Sequence, residues 1–369
     1  MKQNKDSESD WQDLNVCRLK MNELDERILG LLAERQETAK KIGYIKQASG
    51  LEIIDTAREQ EVLRSLESKA SDHLSPLAIR AIYSEIISAS RAVQEPLSAA
   101  YLGPEATFSH QAALAFFGNS TQLTPTETIE EVFSLVEKGS VRMGIVPIEN
   151  SFEGSVNITM DLFYKYDLKI GAETLLRIRN HLITKAKSMA MIKKIFSHPM
   201  PIAQCRSWIR NHLPGASLVE VSSTSMAAKM AAEDPETAAI GSRLSAVTYG
   251  LNIMEEGIED QPYNVTRFFV IGTKDATPTG NDKTSILFFL PHVPGSLHKA
   301  LETLARHNVN MTRIQSRPMR MRNWEYLFFV DIEGHEDDQN VKEALLKMEK
   351  RCSFMKRLGS YPSGGTPWD

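Results

Sequence analysis

A chain of 369 residues is long enough for two or three domains, each with its own core. Its 43 Lys+Arg against 47 Asp+Glu leave a formal charge of -4, which argues against non-specific nucleic-acid or anionic-membrane binding, since that demands a basic surface. The three cysteines, Cys17, Cys205 and Cys352, are odd in number and far apart, so a disulfide framework and a CxxC zinc site are both excluded and a reducing cytoplasm fits. The opening MKQNKDSESD lacks the apolar stretch of a signal peptide, and a polar tail is expected through residue 11. No apolar run approaches the ~20 residues of a membrane span.

Residues 12–96 read as helix. Residues 1–96 hold three glycines and two prolines, and their only aromatics are Trp11, Tyr44 and Tyr83. Leu14, Met21, Ile28 and Ile42 form one seven-residue ladder, and Cys17, Leu24, Leu31 and Ile45 the other. A helix over 14–48 would be roughly 50 Å long, more than one small domain can cover, so an intertwined dimer is expected. A second helix is expected from Ile54 to Ala70. A third is expected from the Ser75-Pro76 cap to Gln94.

Arg35 interrupts the seam at a core position, and Arg18 and Lys46 border it. Cations beside an apolar stripe need anionic partners. Internal ion pairs with snorkelling stems are one answer. A pocket for a small dianion, with Arg58 as a further cation, is the other.

The stretches RLKMNELDERILGLLAERQETAKKIGYIK, IIDTAREQEVL and SASRAVQ resemble the all-helical chorismate mutase family. That resemblance places a site at Arg18 (from a partner subunit), Arg35, Lys46, Asp55, Arg58, Glu59, Ser90 and Gln94. It implies a pericyclic rearrangement, which requires positioning and charge stabilisation but no nucleophile or metal. Arg18, Arg35 and Arg58 would hold two carboxylates. Lys46 and Gln94 would donate to the breaking ether, while Asp55, Glu59 and Ser90 would orient the ring hydroxyl and the cations.

Residues 97–273 alternate strand and helix signals, which predicts parallel sheets with crossover helices and a ligand at the carboxyl ends of strands. Thr124-Pro125-Thr126-Glu127 reads as a capping box opening a helix that stops at Gly139. Polar clusters follow apolar strands at Glu149-Asn150-Ser151, Ser197-His198-Pro199, Gln204 and Thr266-Arg267. Each alone is ordinary turn chemistry. Jointly, YLGPEATFSHQAA, PIENSFEGSV and YNVTRFFVIG resemble prephenate dehydratase. The resemblance implies two α/β lobes like a periplasmic binding protein, Thr266 as the key group, and Glu149, Asn150, Ser197, Gln204 and Arg267 around the substrate. Arg267 either pairs with a substrate carboxylate or braces its loop. His198 reads as structural rather than as a general acid.

A Thr-, Gly-, Pro- and Asp-rich linker at 274–283 precedes a βαββαβ pattern within 284–369, the order of a ferredoxin-like module. It resembles an ACT regulatory domain. Pro294-Gly295-Ser296-Leu297 and Gln315-Ser316-Arg317-Pro318 fall on that family's two amino-acid-binding segments. Gln315 replaces the usual glutamate, which weakens the hold on an ammonium group. The resemblance implies phenylalanine as an allosteric ligand.

The whole chain thus reads as multidomain: an all-α mutase domain, a two-lobed α/β dehydratase domain and an α+β ACT domain. Chorismate, prephenate and phenylalanine are its expected ligands, with no cofactor or metal, no nucleic acid and no membrane, in a homodimer or higher homo-oligomer. The rival reading is a ligand-sensing regulator with a bilobed binding domain. That reading expects a basic recognition helix, whereas residues 1–96 carry 14 basic and 17 acidic groups.

Overall fold

In the computed structural model, described over residues 4–49, 55–318 and 326–368, the N-terminal region is three helices. The first, α1 (Asn4–Ala48), is one 45-residue helix. The polar opening expected as a tail is therefore helical from Asn4. Its lack of glycine and proline before Gly30 favours helix at that end. α2 (Thr56–Glu67) is shorter than expected because Asp55 caps it, accepting from the Arg58 backbone N–H at 2.9 Å. Ile54 lies outside the described residues. α3 (Pro76–Gln94) starts where predicted, with the Ser75 hydroxyl accepting from Ala78 N–H at 3.2 Å.

α1 buries one short face against α3. Ala39 is buried there, and a Cβ on Gly43 would stand 3.0 Å from the Gln94 side chain, so only glycine lets the two helices pass this closely. The apolar ladders of α1 stay outside this contact. Met21, Ile28, Leu31 and Ile45 are all more than half exposed in the single chain.

The central domain has two sheets. The first lobe contains β1 (Ser98–Leu102), α4 (Phe108–Phe117), β2 (Gln122–Thr126), α5 (Ile129–Glu137), β3 (Met143–Asn150), β4 (Gly154–Ser155), α6 (Asn157–Lys165) and β5 (Lys169–Arg177). The second contains β6 (His181–Thr184), β7 (Lys194–Ser197), α7 (Pro199–Gln204), α8 (Arg206–His212), β8 (Ser217–Glu220), α9 (Thr224–Ala231), β9 (Thr237–Gly241), α10 (Arg243–Tyr249) and β10 (Asn252–Glu255). The chain then returns to the first lobe as β11 (Val265–Gly272). Strand orders are β2-β1-β3-β11-β5, with β4 on β3, and β10-β6-β9-β7-β8.

Both sheets are mixed rather than parallel. β11 re-enters from the second lobe and so runs antiparallel to β3 and β5, and β6 is antiparallel to β9 and β10. The expected capping box at Thr124–Glu127 is also displaced. Thr124 to Thr126 belong to edge strand β2, where Pro125 is tolerated. The working cap is Thr128, which accepts from Glu131 N–H at 3.1 Å while the Glu131 carboxylate accepts from Glu127 N–H at 2.9 Å.

The C-terminal module is β12 (Asp282–Phe289), α11 (Ser296–Arg306), β13 (Met311–Pro318), β14 (Tyr326–Glu333), α12 (Gln339–Glu349) and β15 (Phe354–Pro362). Its antiparallel sheet has the order β13-β14-β12-β15, the expected ferredoxin-like arrangement. β12 begins inside the predicted linker. One face of this sheet is covered by α11 and α12. The other packs directly on the first lobe: Phe269 and Ile271 of β11 share one core with Leu287, Phe289, Phe329, Leu358 and Tyr361. Two modules joined through a common core are mechanically coupled, unlike beads on a linker.

Candidate active sites

The inter-lobe cleft is organised by four amides and one hydroxyl. Asn150 ends β3, and its register partner on β11 is Thr266. The Asn150 Oδ1 accepts from the backbone N–H groups of Phe152, at 2.9 Å, and Glu153, at 3.1 Å. That fixes the amide, so Nδ2 must face the cleft strands. It donates to Thr266 Oγ1 at 2.8 Å and to Asn264 Oδ1 at 2.7 Å. Thr266 Oγ1 is thus already an acceptor, which leaves its own O–H to donate elsewhere. Asn264 and Asn180, on the two crossings between lobes, both donate to Gln204 Oε1 of α7 at 3.2 Å. The chain Thr266–Asn150–Asn264–Gln204–Asn180 therefore ties the lobes together beside a cavity of about 250 Å3 lined by Phe152, Gln204, Glu259 and Asn264 among others.

Asn264 and Asn180 are missing from the residues singled out in the sequence. Asn264 was findable, because it lies two residues before Thr266 and so shares its face of the strand. Asn180 follows a strand without a motif and carried no such signal.

Three expected substrate contacts point elsewhere. Ser197 is fully buried and donates to Ile240 carbonyl at 2.9 Å, pinning β7 to β9. Glu149 and Arg267 alternate with Asn150 and Thr266 along their strands and so face the C-terminal module. Arg267 donates to Glu173 Oε2 at 2.6 Å and to Asp331 Oδ2 at 2.5 Å, so it braces rather than binds. Glu173 is also met by Lys283 at 2.7 Å. Burial alone would raise the Glu173 carboxyl, but the Arg267 and Lys283 charges hold it below its ordinary value. His198 caps α7, its Nδ1 accepting from Met200 N–H at 3.3 Å, a contact of the structural kind expected of it.

The opening motif forms the loop before α4. Ser245 Oγ of the second lobe donates to Ala106 carbonyl at 2.8 Å across the lobes. His110 Nδ1 accepts from Ala106 N–H at 3.0 Å, and burial lowers the His110 pKa, which favours neutral imidazole.

The helical module gathers part of its expected set. Arg35 donates to Ser90 Oγ and to Ile86 carbonyl, the latter at 3.4 Å. Gln94, one turn further, donates to Ser90 carbonyl at 3.2 Å. Its Oε1 is buried with no hydrogen-bond partner among the described residues. Glu59 lies near the charges of Lys46 and Asp55 and 3.5 Å from Arg91 Nη1. Burial first, and Asp55 second, push its carboxyl above the ordinary value against Arg91 and Lys46.

The rest of the set is not brought in. Arg58 is exposed and pairs with Glu61 at 2.6 Å. The Asp55 carboxylate is engaged as the α2 cap. Arg18 is exposed and 17 residues before Arg35 on the same helix, about 25 Å away, so one chain cannot supply both to one pocket. Sequence reading missed Arg91, almost fully buried, which also donates to Phe117 carbonyl of the central domain at 2.6 Å. Its signal was a cation inside the apolar face of α3.

In the C-terminal module, Gly295, Ser296 and Leu297 line a cavity of about 440 Å3 with Tyr326 and Phe328. Gly295 holds φ at 82° immediately before α11, a conformation suited to glycine, and brings no side-chain cap to the helix, whose first N–H, of Ser296, donates to the Val293 carbonyl at 3.3 Å. Gln315 to Pro318 are not part of that lining. Strand alternation aims Gln315 and Arg317 at the first lobe, where the Gln315 side-chain oxygen accepts from Ser155 Oγ at 3.2 Å and Arg317 pairs with Asp161 at 2.9 Å. Ser316 and Pro318 are exposed. In the strand register they stand opposite Phe328 and Tyr326, so the second expected segment borders the cavity through β14 without lining it.

The fold and these sites define a multifunctional enzyme built from a helical mutase, a cleft dehydratase and an ACT domain. The families described as chorismate mutase type II, prephenate dehydratase and ACT domain match residues 17–95, 99–276 and 284–350. A bifunctional chorismate mutase/prephenate dehydratase of Aquifex aeolicus is 44% identical over 95% of this chain and 98% of its own. That of Stutzerimonas stutzeri is 40% identical over 96% and 99%. A solved prephenate dehydratase from Arthrobacter aurescens, in complex with L-Phe, superposes with a TM-score of 0.67 at 35% identity, covering 72% of this chain and 90% of that one. The chain belongs to the bifunctional chorismate mutase/prephenate dehydratase family.

Proposed function

We propose that the helical module converts chorismate to prephenate and that the cleft converts prephenate to phenylpyruvate, carbon dioxide and water. The observation that carries the second reaction is the Asn150–Thr266 contact at 2.8 Å. As the bond from the ring to its carboxylate breaks, the electron pair moves through the diene and expels the hydroxyl opposite. The departing hydroxide takes up one proton, in net from solvent, and leaves as water. Thr266, accepting from Asn150, directs its own O–H at the leaving oxygen. A fixed donor in a water-poor cleft stabilises departing charge far better than one in solvent. Thr266 acts as an oriented donor, and aromatisation drives the step.

The first reaction is intramolecular, so positioning suffices. Arg35, together with Arg18 from a second copy, holds the carboxylates. Lys46 and Gln94 serve the ether oxygen, and Glu59 the ring hydroxyl. Arg58 is held at the surface only by an exposed ion pair, which costs little to exchange for a carboxylate. The second copy is supported by the exposed apolar ladder of α1, far more contiguous than a solitary chain tolerates. Phenylalanine is the proposed ligand of the C-terminal cavity, by analogy with the L-Phe complex of the Arthrobacter protein. No helix among the described residues is long and apolar enough to cross a membrane, and we place the enzyme in the cytoplasm as a homodimer or larger homo-oligomer.

The test supplies chorismate to purified protein and follows chorismate, prephenate and phenylpyruvate together, with and without phenylalanine. Loss of chorismate, transient prephenate and accumulating phenylpyruvate are expected, with phenylalanine slowing the last. A protein that consumes neither acid is not this enzyme.

A further inference from the structure

The hairpin that fixes Asn150 is gripped from the regulatory module. Glu149 and Ser155 are register partners at its base, with Asn150 opposite Gly154. Its turn supplies the two N–H groups, of Phe152 and Glu153, that hold the Asn150 oxygen. Arg313 of β13 reaches both sides of the base: Nε lies 3.2 Å from Glu149 Oε2 and Nη2 donates to Ser155 Oγ at 2.7 Å. The Ser155 hydroxyl in turn donates to Gln315 at 3.2 Å. The Arg313 side chain is only 9% exposed, and its guanidinium lies 5.1 Å over the ring of Phe329, which stacks on Phe269 of β11 at 6.2 Å.

We propose that Arg313 is a positioning residue of the dehydratase site. It clamps the hairpin base and so holds the Asn150 amide at the distance Thr266 requires. It is also the contact through which a ligand on the ACT domain alters the cleft, because its strand β13 pairs along β14, whose Tyr326 and Phe328 line the cavity opposite Pro318 and Ser316. This inference rests on the dehydratase reading of the cleft. It adds that the regulatory module supplies a residue to that site's geometry.

The geometry decides what the clamp does. A guanidinium presents two donors at a fixed angle and can bridge Glu149 and Ser155 at once, whereas an ammonium is a single point. Loss of Arg313 leaves every cleft side chain in place but frees the hairpin to shift. Displacement by about 1 Å can cost up to roughly 100-fold in rate without weakening substrate binding equally.

The experiment uses the full-length protein and reads wild-type phenylpyruvate formation first. A wild type that does not act on prephenate overturns the dehydratase reading itself, which separates that failure from failure of the clamp. Arg313→Met is expected to lower dehydratase kcat by roughly 10- to 100-fold with KM changed far less, while mutase turnover in the same preparation is retained. Arg313→Lys recovers part of the loss. Phenylalanine still raises the melting temperature of Arg313→Met but no longer slows its residual dehydratase. Glu149→Gln combined with Arg313→Met costs no more than the worse single variant, since both cut one link. Wild-type kcat in Arg313→Met, full phenylalanine inhibition in it, or additive losses in the double variant each overturn the proposal. Should Arg313→Met lose mutase turnover and its cooperative melt as well, Arg313→Lys and Glu149→Gln carry the same kcat-against-KM comparison, and wild-type kcat in both overturns it.

Discussion

Asn150 donates to Thr266 across two strands at 2.8 Å, and its own oxygen is already taken by two backbone N–H groups. The amide has one usable orientation, so the threonine oxygen is always an acceptor and its proton always points away from Asn150. Asn150→Asp is nearly isosteric but replaces the donor by an acceptor. Dehydratase kcat should fall roughly 100- to 1000-fold, the scale of losing one aimed donor. Thr266→Ala should fall by a similar factor and Thr266→Ser by much less. Mutase turnover, measured with chorismate on the same samples, should stay at wild-type level in all three. Near-normal phenylpyruvate formation by Asn150→Asp would remove the asparagine from the mechanism.

Arg267 sits one residue beyond Thr266 but holds the regulatory module. Its partners Glu173 and Asp331 are 1% and 0% exposed. Arg267→Met leaves two buried carboxylates short of a cation, a class of change that costs about 3–5 kcal/mol. The melting transition of the dehydratase and ACT domains should move down by several degrees, read by calorimetry. An unchanged melt would mean that the network is open to solvent.

The fate of Arg267 shows where sequence reading stops. The motif YNVTRFFVIG located the strand and the threonine proposed to act on the substrate, and the βαββαβ order located the regulatory module. Two facts were hidden. β11 is antiparallel in its sheet because it returns from the other lobe, and no local pattern encodes the direction of a partner strand. Strand alternation alone puts Thr266 and Arg267 on opposite faces, but it does not say which face meets the cleft. The same limit applies to Glu149 and to Gln315 and Arg317. Their types matched ligand contacts, yet their register turns them into contacts between domains. In the helical module the cations were legible as breaks in an apolar ladder. That Asp55 would act as a helix cap and Arg58 would face solvent depended on where α2 begins.

Glu59 gives a pH signature. Burial, then Asp55, raises its carboxyl above the ordinary 4.5, against the pull of Arg91 and Lys46. A folded-state pKa above the unfolded one means that the fold is favoured while the group is protonated. That contribution is complete below about pH 4.5 and is lost as pH rises through the folded value. Glu59→Gln cannot lose it. The melting temperature of Glu59→Gln relative to wild type should therefore climb between pH 4.5 and neutrality. A difference that shrinks over that range would show Glu59 to be stabilised as a carboxylate by Arg91.

The most direct test of the second copy uses two inactive chains. Arg18 and Arg35 are too far apart on α1 to meet within one protomer, and the two ladders, with Met21 and Ile28 on one and Leu31 on the other, are exposed between them. If two α1 helices pair along those ladders, each pocket takes Arg35 from one copy and Arg18 from the other. Arg18→Ala and Arg35→Ala should each abolish most mutase turnover. Co-expressed, half of the dimers are mixed, and each mixed dimer contains one pocket with both arginines intact and one with neither. Mutase activity should return to about a quarter of wild type, the statistical limit for a two-fold dimer. Dehydratase turnover stays constant throughout and normalises the measurement. Ile28→Glu, which adds a carboxylate to the ladder without touching either arginine, should prevent that recovery. A co-expressed mixture as inactive as its parents would end the shared-pocket account.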